Sequence, residues 1–435
     1  MRQIHINKLS NFINRITHLD IVRVFSFTAM STLVRMLTGL ISVKVVASII
    51  GPAGVALVGQ LNNFATIALS LSTGGINNGI TKYVAEYKDE ENRVKDCLST
   101  ALRITCACSL IVGVGLVLFH NVLSKWILLS PEYGYVFTIF GFTILFYALN
   151  MALASVINGF KEFKRYVKIN IIGSLLGLVY TLSLVFIWHL KGALISAVTF
   201  QSVMFFISIW MVRKLPWMKW EYLKNRINKD LSKKYLRYSL MTFISAATLP
   251  VAQMLLRGHV ISQISATEAG WWEAMNRISN MYLTVITTSF SVYYLPRLSE
   301  LTDKLELRRE IYRSYKVIIP CLLCGFALIY MLRFVVIRLL FTPEFLPMQG
   351  LFIWQLMGDF FKITSWLLAY LMVAKAMAKW FIGTEVLFSF LYVGLSFLFM
   401  RNNGVVGITQ AYLVNYILYT IMMFYLFIKL LWHGK

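Results

Sequence analysis

About twelve apolar stretches, each near the ~20 residues a helix needs to cross a bilayer, follow one another with short polar connections between them. An α-helix rises 1.5 Å per residue through a hydrocarbon core about 30 Å thick. That predicts spans over 24–50, 56–81, 98–119, 135–157, 167–188, 192–212, 239–259, 270–295, 314–335, 350–374, 380–400 and 405–428. The period-two alternation of a membrane β-barrel is absent, so the class is an all-α polytopic membrane protein. Charged residues are 14% of the chain, well below the roughly 25% of soluble domains.

The basic residues orient these spans. Of 42 Lys and Arg, 31 fall on the side of the N-terminus and 6 on the other, with Arg35, Lys44, Arg103, Arg277 and Lys362 inside spans. The positive-inside bias puts both termini in the cytoplasm and accounts for the net charge of +23 without nucleic acid. Residues 1–23 read as an interfacial lead-in, without the apolar core of a signal peptide. The most basic connection, 213–238, contains Trp217, Trp220, Tyr222, Leu223 and Ile227, and reads as an amphipathic linker on the anionic leaflet. It separates an N-lobe, 24–212, from a C-lobe, 239–435, of six helices each. A weak repeat supports the division: Gly54 and Gly270 open polar second and eighth spans 216 residues apart. Cys321-Leu-Leu-Cys324 sits inside a span with no His near it and reads as a buried structural pair.

Polar residues inside the spans carry the functional signal. Charge at bilayer depth costs about 2.5–3.5 kcal/mol on insertion scales. In the first span Thr28, Ser31, Arg35, Thr38 and Ser42 recur at helical spacing. Lys44, nine residues beyond Arg35, falls on the opposite face, either snorkelling outward or serving as a second cation. Asn63, Thr66, Ser70, Thr73, Asn77 and Thr81 stripe the second span. The eighth span holds Glu273, Asn276, Arg277, Asn280, Thr284, Thr287, Thr288, Ser291 and Tyr294. Glu273–Arg277 and Asp359–Lys362 have the spacing of in-helix ion pairs, and Arg103 is placed to snorkel. Arg35, Lys44 and Arg257 then stand without in-helix partners against Glu385, which makes the predicted cavity electropositive and suited to a phosphate or diphosphate. The candidate binding set is Arg35, Lys44, Asn63, Asn77, Arg257, Asn276, Arg277 and Asn280; Asp359, Lys362 and Glu385 are candidates for H+ or Na+ coupling. No metal or cofactor constellation is visible.

Several motifs carry a resemblance. Gly51-Pro52-Ala53-Gly54, Asn78-Gly79-Ile80-Thr81-Lys82-Tyr83-Val84-Ala85, Ser289-Phe290-Ser291-Val292-Tyr293 through Pro296, Trp354-Gln355-Leu356 with Gly358-Asp359, Ala374-Lys375-Ala376 and Gln410-Ala411-Tyr412 resemble the Wzx-type lipid-linked oligosaccharide flippases. These form the polysaccharide-exporter branch of the MOP superfamily, and the likeness runs from about Ser31 to the last span, most of all toward flippases of common-antigen lipid III. It implies a two-lobed, twelve-helix bacterial inner-membrane protein with a cationic cavity lined by helices 1, 2, 7 and 8. The implied cargo is undecaprenyl diphosphate bearing a short oligosaccharide, common-antigen lipid III or an O-antigen unit, moved to the periplasmic leaflet. Membrane lipids, and the polymerase and chain-length regulator of the same pathway, are the implied partners.

A multidrug or cation antiporter of the same superfamily is the alternative, and it would favour carboxylates in the cavity. A membrane O-antigen polymerase or ligase is more remote. Such enzymes need a substantial outer loop, whereas the longest here is 120–134, and His5, His18, His120, His189, His259 and His433 all avoid span centres. The reading is a transporter, not an enzyme.

Overall fold

The computed structural model describes residues 2–225, 227–301, 303–375 and 377–428, with side chains from Met30 onward except at 237, 238, 241, 292, 296 and 378. The tail 429–435, the side chains of the lead-in 1–23 and that of Thr28 lie outside what is described. Every regular element among the described residues is helical. In order these are α1 (Arg2–Ser72), α2 (Asn77–Tyr87), α3 (Glu91–Leu118), α4 (His120–Ile127), α5 (Gly134–Gly159), α6 (Phe163–Val212), α7 (Lys229–Gln263), α8 (Ala266–Ser289), α9 (Leu295–Glu300), α10 (Lys304–Met331), α11 (Arg333–Leu340), α12 (Gln349–Ala374), α13 (Ala378–Asn403) and α14 (Val406–Leu426). A π-helical turn, Phe290–Tyr294, joins α8 to α9.

Eight helical stretches among the described residues are long and apolar enough to cross a membrane. Two are doubled: Met30–Ser72 has 43 residues and Phe163–Val212 has 50, about twice what one crossing needs. Each breaks midway. α1 breaks at Gly51, whose φ of 66° is open to glycine and strained for other residues. α6 breaks at His189, and there the chain folds back on itself: a Cβ on Gly192 would lie 1.9 Å from the Leu184 carbonyl oxygen. Tyr180 and Thr199, nineteen positions apart, share a 2.8 Å hydrogen bond across the two arms. Eight stretches with two doubled make ten crossings. α7 and α8, of 35 and 24 residues, bring the count to the twelve expected. They fall outside the most apolar class because they carry the polar stripes.

The elements run past the predicted spans on the linker side, where α7 starts at Lys229 and α10 at Lys304. The linker is docked rather than laid flat. Leu215, Trp217, Leu231 and Tyr235 are buried against Tyr83, Val84, Tyr87 and Cys97, Trp217 stacks on Phe160 at 5.0 Å, and Asn225 and Asn228 donate to Asp96. Arg103 reaches the Lys224 carbonyl at 3.1 Å instead of snorkelling free. Trp220 alone of the linker tryptophans stays outward, 69% exposed. Cys321 and Cys324 are a second correction: both are exposed on the outer face of α10, because Leu322 between them takes the buried position.

The two halves of the chain meet at the end of the molecule that carries Gly51. There Ala47, Val55 and Ala56 of α1 pack with Leu256, Val260, Ala269, Trp272, Phe341, Phe345 and Phe352. Gly270, the repeat partner of Gly54, sits so tightly on this hairpin that a Cβ would fall 2.0 Å from the Pro52 carbonyl oxygen. The second arm of α1 then descends antiparallel to α7, from Gln60 beside Met254 to Gly75 beside Ser239.

Gly192→Ala is expected to lower the thermal midpoint of the detergent-purified protein, an overpacking cost of about 1–3 kcal/mol. Gly115→Ala, where nothing lies within 4 Å, is expected to leave the midpoint unchanged or slightly higher. Thermal-shift curves on both variants check the pair.

Candidate functional site

Arg35 is exposed although Ser31 and Thr38 on either side of it are buried. The lipid-facing stripe of α1 is Leu33, Leu37 and Ile41, 49–59% exposed, and Arg35 lies about half a turn away from it. An exposed guanidinium on the side turned from lipid faces water or cargo, since hydrocarbon there would leave five N–H donors unmet. Among the described residues its side chain has no ion-pair or hydrogen-bond partner. The second arm of α1 presents Asn62 and Thr66, α8 presents Asn280 and Thr284, and the π-helical turn after it presents Ser291, all exposed. At 1.5 Å per residue Arg35 and Thr66 both lie about 22–24 Å from the Gly51 turn, and Thr284 about 21 Å beyond Gly270. These positions share one depth.

Most hydroxyls of the stripes are satisfied by their own helix: Thr66 donates to Asn62 O, Thr284 to Asn280 O and Thr288 to Thr284 O. The amides are what distinguish the wall. Asn276 Nδ2 and Asn77 Oδ1 are buried without partners among the described residues, whereas Asn63 donates to Gln253 Oε1 at 3.1 Å and so fastens α1 to α7.

Three of the expected cavity cations have other work. Arg257 is 1% exposed, its Nη2 2.6 Å from Glu273 Oε2 and its Nη1 3.2 Å from Gln60 Oε1, with Trp272 against its plane. It is therefore paired across helices, not free. Arg277 holds the other oxygen of the same carboxylate through Nε at 3.1 Å, the in-helix pair that the spacing predicts. Lys44 also differs from the cavity expectation. α1 has no break at Gly39, so Lys44 stays on the lipid side, and its ammonium donates to Phe341 O and, at 2.8 Å, to Arg338 O. These carbonyls close the C-terminus of α11, where the helix dipole favours a cation.

In the C-terminal half Asp359 is fully buried and lavishly solvated by protein. Oδ2 accepts from Ser279 at 2.6 Å, from Tyr282 and from Gln355, while Oδ1 accepts from Tyr412 at 2.7 Å. The predicted Asp359–Lys362 ion pair does not form. Lys362 donates instead to the Tyr412 hydroxyl at 3.0 Å, which places Tyr412 between ammonium and carboxylate, and Trp366, Tyr412 and Tyr416 surround Lys362 at 5.2–5.4 Å. Glu385, on α13, accepts from Ser245 at 3.2 Å. The candidate set left out Gln60, Gln253, Tyr282 and Tyr412, because their partners lie 50 to 197 positions away, where helical spacing carries no signal. Among the described residues no cluster of His, Cys, Asp and Glu could hold a metal ion.

Residues 21–302 match the family model described as polysaccharide biosynthesis protein. The chain is 31% identical over 393 residues to the lipid III flippase of Escherichia coli (strain K12), covering 90% of this chain and 94% of that one, and equally to the lipid III flippase of Shigella flexneri. Among solved structures it is similar to lipid II flippase MurJ in an inward closed conformation, with TM-score 0.73, 14% identity and coverage of 94% and 90%. It is also similar to an inward-facing multidrug resistance MATE family transporter of the MOP superfamily, with TM-score 0.71, 14% identity and coverage of 94% and 98%. An outward-facing MATE structure scores 0.63 at 15% identity, covering 95% and 96%. The architecture is that of the MOP transporters, in a multi-pass membrane protein.

Glu273→Gln leaves Arg257 a buried guanidinium without its counter-charge, expected to cost about 3–5 kcal/mol. Replacing both residues, Arg257→Met with Glu273→Met, is expected to recover most of that loss. Thermal unfolding of the three purified proteins measures the difference.

Proposed function

This chain belongs to the polysaccharide biosynthesis protein family as a relative of the lipid III flippases, and from that premise we propose that it flips an undecaprenyl-diphosphate-linked oligosaccharide across the bacterial inner membrane. The observation that carries the reading is Arg35, an exposed cation at bilayer depth with no partner among the described residues, on a wall of amides. A diphosphate supplies the paired oxygens a guanidinium fork binds best. Asn280 is exposed and placed to meet sugar hydroxyls or bound water, and Asn276 and Asn77, each with one buried amide atom lacking a partner among the described residues, join it when the wall opens.

The two lobes, 24–212 and 239–435 joined through 213–238, rock about this cleft. With both termini in the cytoplasm the Gly51 end is periplasmic, and the seam of Gln60, Arg257, Glu273 and Gly270 is the closed gate of an inward-facing state. The TM-score of 0.71 to the inward-facing MATE structure against 0.63 to the outward-facing one supports that assignment. Cargo enters from the cytoplasmic leaflet and leaves toward the polymerase and chain-length regulator of the same pathway. Between common-antigen lipid III and an O-antigen unit, the lipid III relatives favour the first. The antiporter reading rests on the shared fold, and an unpaired arginine in the cleft repels the cations such a carrier would take.

We also propose that H+ or Na+ coupling, where present, runs through Asp359, Lys362 and Glu385. The Tyr412 bridge supports it, because a hydroxyl between ammonium and carboxylate can pass a proton either way.

Arg35→Ala is expected to abolish glycan export in a flippase-null strain while leaving protein abundance intact, and Arg35→Lys to restore a fraction of it. Normal surface glycan with Arg35→Ala would sink the assignment. Asp359→Asn and Glu385→Gln are expected to reduce export and flatten its dependence on the proton or sodium gradient; vesicle transport indifferent to both would remove the coupling role.

A further inference from the structure

A cavity of about 510 Å³ lies within the C-terminal half, among α7, α8, α12, α13 and α14. Of its wall, coupling uses Lys362, Tyr412 and Glu385. Eight of its nineteen lining residues are aromatic, and Trp366 and Tyr416 close on the Lys362 ammonium. Asn415 is only 5% exposed and lines the same space. Its Oδ1 is buried with no partner among the described residues, and an orphaned amide acceptor is costly unless something donates to it. Among the described residues Lys362 donates one hydrogen bond, to Tyr412, and an ammonium has three to give.

Aromatic faces, a free acceptor and a donor with capacity to spare define the ligand. A metal ion alone would give the spare Lys362 N–H groups nothing to donate to, and a hydrocarbon tail would leave Asn415 unmet. A pyranose ring fits each demand: its C–H face packs on an aromatic ring, and its hydroxyls both donate and accept. The cavity shares Thr287 and Ser291 with the polar face of α8, about one and two turns beyond Thr284, so a short oligosaccharide anchored at the cleft reaches it. We propose that this cavity is a glycan subsite, holding a sugar ring of the cargo while Arg35 holds the diphosphate. The proposal rests on the flippase reading and adds where the sugar is recognised.

The test uses full-length protein in nanodiscs and two probes, undecaprenyl diphosphate and the same lipid bearing its oligosaccharide. Wild type is expected to bind the glycosylated lipid more tightly. Asn415→Ala is expected to weaken that binding about five- to tenfold and to leave the bare lipid unchanged. Ser389→Trp, which fills the cavity, is expected to act likewise, with Asn415→Ala carrying the test alone if the filled variant does not fold. Equal losses on both lipids, or no loss on either, would overturn the subsite while leaving Arg35 as the lipid anchor. Wild type that binds neither lipid would overturn the flippase reading and the subsite together. Displacement of the glycosylated lipid by a lipophilic cation such as tetraphenylphosphonium would show an antiporter's drug pocket instead.

Discussion

One carboxylate holds the closed end of this molecule. Glu273 takes Arg257 on one oxygen and Arg277 on the other, and Gln60 of α1 completes the Arg257 fork. Taking an arginine out of water in a membrane protein is tolerated only with a counter-charge and hydrogen bonds in good geometry. That requirement fixes α1, α7 and α8 in register. The close backbone contact of Gly270 on the Pro52 carbonyl follows from the same register, as does the packing of Trp272 on Arg257. The polar faces of α1 and α8 continue from this end toward the other side of the molecule. One charge of the cluster remains in excess, since two guanidinium groups share a single carboxylate.

The C-terminal half solves the same problem differently. Asp359 is met by hydroxyls and an amide rather than by a cation, and Lys362 rests among aromatic faces rather than on a carboxylate. The paired cluster at the closed end is suited to rigidity, because separating its charges is expensive. The hydroxyl-mediated one is suited to change, because a tyrosine can turn its proton toward either neighbour without moving the backbone.

Much of the fold was legible in the sequence because the bilayer imposes a length and a polarity on every crossing. Twelve crossings, the special character of helices 1, 2, 7 and 8 and the break at Gly51 all follow from spacing and from glycine's access to positive φ. Helical phase alone puts Arg35 and Lys44 on opposite faces of α1, nine residues being half a turn. What spacing cannot supply is the partner of a group when that partner sits on another helix. Arg257 reads as unpaired because Glu273 belongs to α8, and Asp359 and Lys362 read as a pair because three residues is a good pairing distance. The burial of Trp217 was equally invisible, since an amphipathic strip looks the same whether it rests on lipid or on protein.

The seam at the Gly51 end is built to a large extent on main-chain oxygens. Lys44 donates to the carbonyls of Arg338 and Phe341, Gln60 to that of Met254, Trp271 to that of Glu344, and Gly270 abuts that of Pro52. A carbonyl is present whatever side chain its residue carries. Each contact therefore constrains identity on one side and only backbone path on the other, so these contacts allow relatives to drift at 52, 254, 338 and 344, whereas Phe341 is also held by core packing. Covariation between the halves should be weak at these contacts even though they touch, and stronger at the Gln60–Arg257 and Asn63–Gln253 pairs, where both partners contribute side chains.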